Sequence, residues 1–230
     1  SKEKKKLPTK KKPLGPNEVN SGSTLLTNYI KRISIVRIEE FLKVIIHETI
    51  HNSGLDLSQY NFDIINEWIK KHFLIKSNNT ILINECYVEL WAVIFNSIIT
   101  AHISNPSELL PTFLYIINIE KLFSCFQCAK ILKYYGFNNF SEFYNNNGWS
   151  LNKLDNAKYF QKSSILSYYI IKSAVLFNID SFFKFCYPDT YSIKNFIRFD
   201  EMSEENFLKL IISSVNNNNY QNIVNNYFNI

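Results

Sequence analysis

The chain of 230 residues is poor in several residue types, and each shortage excludes something. It has 4 cysteines, scattered at Cys86, Cys125, Cys128 and Cys186, too few for a disulfide scaffold and suited to a reducing compartment. Cys125-x-x-Cys128 has no second ligand pair for a zinc knuckle. It also has no strand before it for a redox motif, so two buried thiols on adjacent turns are expected. The lone methionine is Met202, and there are 5 glycines and 3 arginines. No uninterrupted apolar run reaches about 18 residues, so no membrane insertion is expected. The nearest candidate, 88–103, carries Glu89, Asn96 and His102. No signal peptide is visible, because the lysine-rich start is not followed by an apolar run.

Net positive charge is confined to one place. Residues 1–12 hold seven lysines against one glutamate, +6 of a net +5, which leaves −1 for the rest. A nearly neutral body does not have the footprint of a nucleic-acid binder, so such contact is expected only through the tail. Residues 1–16 read as a basic flexible tail punctuated by Pro8, Pro13 and Pro16.

What the chain does contain is 46% hydrophobic residues, with 19 Phe and 14 Tyr, enough to bury one sizeable core. Residues 17–230 read as a single domain: 17–76 a small sheet plus a motif-bearing helix, 77–215 a helical part, and 216–230 an Asn-rich, low-complexity end without chemistry. Ile33-Ser34-Ile35-Val36-Arg37 alternates and is β-branched, so it predicts a strand, with the stretch before it as an edge partner. Helices are predicted over 38–52, stopping near Gly54, and over 58–72, 80–102, 116–135, 163–177, 180–187 and 203–214. The fold class is α+β and predominantly helical, with the small N-terminal sheet packed on the first helix.

That first helix carries His47-Glu48-Thr49-Ile50-His51, an H-E-x-x-H motif. Residues four apart share a helix face, so both imidazoles can reach one ion while Glu48 sits beside it as a general base. Apolar Phe41, Leu42, Val44 and Ile45 make the helix mostly buried, which keeps the ligands rigid.

Two stretches could supply a third ligand. Downstream, Gly54 matches the H-E-x-x-H-x-x-G-x-x-H pattern of the metzincins, but the ligand position is Leu57, with Asp56 one residue early. Met202 makes no Met-turn. The other stretch is Asn84-Glu85-Cys86-Tyr87-Val88-Glu89, which resembles the N-E-x-x-x-[D/E] pattern of the gluzincins, the thermolysin-like clan of zinc metallopeptidases. The resemblance covers roughly residues 33–95 and departs in the 33 residues between His51 and Glu85, which hold a helix of their own. It implies Zn2+ held by His47, His51 and Glu85, with Glu89 behind one histidine. It also implies a protein or peptide substrate, hydrolysed by water at the metal with Glu48 as base. An oxyanion donor is expected from Tyr168 or Tyr169, of which at most one serves, and Tyr168 is the choice. His72 and His102 are fallback ligands. Residues 20–24 offer an edge to an extended substrate. The alternative is a non-enzymatic virion or scaffold protein with a structural or vestigial zinc site. The Asn, Ile and Lys bias looks like that of large DNA viruses, which gives an expected setting of host cytoplasm or virion.

Overall fold

The computed structural model describes residues 7–8, 12–26, 31–187 and 204–230. Met202, the predicted helix start at Ser203 and the lysines at 2, 4, 5, 6, 10 and 11 lie outside these. The described chain is a predominantly helical α+β fold with one two-stranded antiparallel sheet.

β1 (Gly22–Leu26) and β2 (Lys31–Ile35) pair with Gly22 opposite Ile35 and Thr24 opposite Ile33. The sheet lies across α2 (Phe41–Asn52), the motif helix, which a 3-10 turn at Ile38–Glu40 leads into. Gly54, at φ 71, ends α2 as expected. The Leu55 N–H returns to the Ile50 carbonyl at 3.1 Å and the Gly54 N–H to that of His51 at 3.0 Å, a Schellman closure.

Helix α3 (Asp63–His72) starts five residues later than predicted. The Ser58 hydroxyl, the expected cap, is spent on Asp56 at 2.8 Å, and Leu57 at φ 60 is incompatible with a helix start there. Helix α4 (Asn84–Ser104) also starts late, because Gln161 takes the preceding backbone through the Asn79 side chain (2.8 Å) and the Thr80 carbonyl (2.9 Å). Cys86, Tyr87, Val88, Leu90, Trp91, Val93 and Ile94 are all buried, so α4 is the central helix, packed on α2 and α5.

Helix α5 (Leu109–Tyr134) begins seven residues before the expected 116. Pro106 opens a 3-10 turn, and Pro111 falls in the first turn of α5, where the missing N–H would have had no intrahelical partner. By length and composition alone α4 and α5 could each cross a bilayer. α4 is wrapped by the core, whereas α5 shows Leu110 and Tyr115 to solvent at 65% and 70% exposure.

After α6 (Leu151–Asp155), the predicted 163–177 helix is in two parts: a π-helical turn at Leu166–Ile171, then α7 (Lys172–Phe177). The Lys172 N–H bonds the Ser167 carbonyl, five residues back. Helices α8 (Ile179–Cys186) and α9 (Glu204–Val215) follow close to expectation.

Both chain ends depart from the sequence reading. The Asn-rich end folds as α10 (Asn218–Tyr227), because the Asn217 side chain caps it by accepting the Tyr220 N–H. Tyr220, Val224 and Phe228 then bury one stripe, and the helix packs on α5. Residues 12–16 do not behave as a flexible tail. Leu14 is fully buried and bridges to Gln161, Lys12 pairs with Glu18 at 2.9 Å, and Pro16 opens α1 (Pro16–Val19). Buried side chains from Leu14 to Phe228 form one contiguous core, shared by the parts 17–76, 77–215 and 216–230 that the sequence suggested. The four cysteines are free, and Cys125 and Cys128 are buried as expected; Cys86 and Cys186 are buried as well.

Candidate metal centre

Helix α2 presents His47 and His51 one turn apart, and α4 presents Glu85 to both. The two Nε2 atoms are 3.2 Å apart, and Glu85 Oε2 lies 3.5 Å from that of His47 and 3.4 Å from that of His51. A tetrahedral site with arms of about 2.1 Å has edges of about 3.4 Å, so the spacing is that of three ligands on one small cation. This His/Glu cluster could hold a metal ion.

The groups behind the histidines point the same way. His47 Nδ1 meets Glu89 Oε2 at 3.0 Å, and His51 Nδ1 meets Asp56 Oδ2 at 2.7 Å. A carboxylate at Nδ1 fixes the proton there and leaves Nε2 with its lone pair. Two imidazole lone pairs and a carboxylate oxygen then converge on one point, an arrangement that favours a positive charge there. Burial opposes charging His47, but its bonds to Glu85 and Glu89 outweigh this and lift its pKa to about 9. His51 is raised in the same way, against burial, by Glu85 and Asp56. Burial would raise Glu85, yet the two histidines hold it down to about 2. In the metal-free chain a proton therefore takes the place that a cation would contest.

The outer carboxylates are themselves held. Glu89 Oε1 takes the Lys43 ammonium at 2.6 Å, a pair that is largely buried. Burial works against the Glu89 charge, and Lys43 and His47 keep it well below the usual carboxylate range. Asp56 Oδ1 accepts from the Ser58 amide (3.2 Å) and hydroxyl (2.8 Å).

Glu48 lines the same cavity, about 340 Å³ in volume, bounded by β1, α2, α4 and the π-helical turn. It is 6% exposed, and its Oε2 accepts the Thr24 hydroxyl at 2.7 Å. The same hydroxyl reaches the Glu48 carbonyl at 3.1 Å, so Thr24 pins β1 to the motif helix. Gly22 lets the strand come this close. A Cβ there would sit 2.5 Å from Val44 Cγ1 and 2.8 Å from Glu48 Oε1.

The Tyr168 hydroxyl donates to Glu85 Oε2 at 2.9 Å, and its ring meets His47 edge-on at 5.9 Å. Burial and the neighbouring Glu85 raise its pKa, so it stays a donor. Tyr169, the other tyrosine considered, also lines the cavity, on the Lys43 side, and burial lifts its pKa to about 12. A π-helical turn is the irregularity that places both tyrosines on one wall.

Thus His47, Glu48, His51, Glu85, Glu89 and Tyr168 are brought together around one cavity. The fallback ligands are elsewhere: His72 donates to the Trp68 carbonyl at 2.7 Å and stacks on that indole, and His102 is exposed near the end of α4. Sequence reasoning missed Thr24, Lys43 and the part played by Asp56. Lys43 had a signal, lying one turn before His47 on α2; Thr24 and Asp56 had none beyond their position in a strand and a turn.

No family model matches the chain, and no solved structure matches it. Over 192 residues, 79% of this chain, it is 30% identical to the uncharacterized protein R210 of Acanthamoeba polyphaga mimivirus. The aligned part is 43% of that protein, so the chain spans less than half the length of this curated relative.

Proposed function

We propose that the chain is a zinc-dependent peptidase of the gluzincin kind, hydrolysing peptide bonds in a protein or peptide substrate. The observation that carries this reading is the convergence of His47 Nε2, His51 Nε2 and Glu85 Oε2 in a cavity that also holds Glu48. Two imidazoles and a carboxylate suit zinc with a coordination position left open, and they also suit non-haem iron. Glu48 favours hydrolysis, because it follows a ligand histidine without being a ligand, and a redox site has no need of a buried base there.

When bound, zinc would lower the pKa of a coordinated water to about 7 and polarise the substrate carbonyl. Glu48 then accepts the proton of the attacking water and delivers it to the leaving amine. Thr24 holds one Glu48 oxygen, and among the described residues nothing bonds the other, which is left for that work. Tyr168 donates towards the developing oxyanion once its hydroxyl leaves Glu85. The strand edge at residues 20–24, which lines the cavity, pairs with an extended substrate and orients it. The mimivirus relative and the four buried free thiols support a virus-encoded protein acting in a reducing compartment, host cytoplasm or virion.

The test has two arms. Elemental analysis of protein purified without added metal should find about one zinc per chain. Glu48→Gln should keep that zinc and the melting temperature, and lose at least ~100-fold in hydrolysis of an unbiased peptide pool. Full zinc with no cleavage by the wild type would favour a zinc-stapled scaffold. Iron in place of zinc would move the reading to a different chemistry.

A further inference from the structure

The two imidazoles of the cluster are oriented by different means. Glu89 arrives on α4 together with Glu85, so the helix that supplies the third ligand also supplies the partner of His47. His51 stands in the last turn of α2, where the chain is about to leave the helix, and α4 gives its Nδ1 no partner. Instead the chain folds back on itself. Gly54 closes the helix, and Asp56 comes to rest with Oδ2 on His51 Nδ1 at 2.7 Å.

This turn has a conformational cost. Leu57 is the one non-glycine residue with positive φ among the described residues, at 60°, a region that a leucine side chain disfavours. It is also 2% exposed, so the core holds the residue where its backbone would rather not be. Such an outlier persists where its surroundings over-determine it. On one side the Leu57 side chain is in the core; on the other, both oxygens of Asp56 are occupied, by His51 and by the amide and hydroxyl of Ser58.

We infer that Asp56 is the positioning residue for His51 as a metal ligand, and that the turn 54–58 serves to aim it. The inference rests on the metal-centre reading above and extends it. Asp56 is not a ligand; it acts through the imidazole, holding the ring with Nε2 towards His47 and Glu85. Ser58 acts one step further out, on the carboxylate. Position 57, where the metzincin pattern has its third histidine, here bends the backbone.

The experiment is zinc affinity of the full chain, measured by competition with a chromogenic chelator, alongside the melting temperature of the metal-free protein. Asp56→Ala should weaken zinc binding by about 10- to 100-fold, the usual scale for partners behind a ligand histidine. Asp56→Asn, whose amide oxygen can still accept from Nδ1, should recover part of that loss. Ser58→Ala should fall between wild type and Asp56→Ala. A purely structural role would lower the metal-free melting temperature and leave the affinity of the folded protein within about twofold of wild type, well short of the loss expected for such a partner; that result overturns the inference. If the wild type itself takes up no zinc, both this inference and the metal-centre reading fall. If the wild type binds and Asp56→Ala binds equally well, only this inference does.

Discussion

Replacing Gly22 with alanine tests the packing that brings Glu48 to the His/Glu cluster. Its φ is not in the left-handed region, so the substitution is opposed by contact alone. The added methyl would lie 2.5 Å from Val44 Cγ1, 2.8 Å from Glu48 Oε1 and 3.1 Å from the Ser34 carbonyl. None of these can yield easily. Val44 is buried at 5% exposure, Glu48 is tied to Thr24, and Ser34 is the neighbouring strand. Overpacking of this kind costs about 1–3 kcal/mol. Against it, loss of glycine's freedom in the unfolded chain returns about 0.4–1 kcal/mol. The net expectation is a loss centred at ~1.3 kcal/mol and at most about 2.6 kcal/mol, the central value being roughly 3–5 °C in melting temperature for a chain of this size. Relief should be specific: in the Gly22→Ala background, Val44→Ala removes the closest conflict, so the two changes should be coupled by at least about 0.5 kcal/mol. Thermal melts of the wild type, both single variants and the double give the answer. A Gly22→Ala protein that melts at or above the wild type would refute the argument.

Two further outcomes are expected. Tyr168→Phe removes the donor on Glu85 Oε2 and should lower kcat by about 100-fold while KM and zinc content change little; an unchanged kcat would limit Tyr168 to steadying Glu85. The chelator-stripped chain should lose stability between pH ~6.5 and 9, because the folded pKa of His47, about 9, lies above its unfolded value of ~6.5. That contribution is complete below pH ~6.5 and gone above about 9. Glu85, at about 2, contributes above pH ~4.5 and loses its share as pH falls towards 2. The zinc-loaded chain should be nearly flat over the alkaline window, since the cation takes the place of the proton. Denaturant midpoints with and without chelator at pH 6 and pH 9.5 would show an equal slope if this is wrong.

The legible parts of this chain are those whose information is local. His47, Glu48 and His51 could be read because one helical turn fixes their spacing, and the stop at Gly54 because glycine takes that φ at the least cost. Glu85 and Glu89 were legible through a family pattern, with apolar neighbours that make two carboxylates expensive unless partnered. Some of the misses had a local cause that only the folded turn reveals, and others depended on distant contact. Helix α3 could not begin at Ser58 once its hydroxyl belonged to Asp56. The Asn-rich end reads as low complexity until Tyr220, Val224 and Phe228 meet α5. Thr24 is an ordinary strand residue until β1 is laid on α2.

The π-helical turn has a consequence for the chain's tolerance of length changes. Between Tyr168 and Lys172 the backbone holds one residue more than an α-helix would need for the same advance. Early in the turn, Tyr168 faces the His/Glu cluster; just after it, Lys172 donates to Ser124 and Ala174, Val175 and Leu176 fill the core. Deleting a single residue there would straighten the helix and swing one side against the other by about 100°. Either the tyrosines would turn from the cavity or the core face of α7 would turn to solvent. The segment is thus a fixed-length spacer, intolerant of a lost residue in a way that no side-chain substitution within it would reveal.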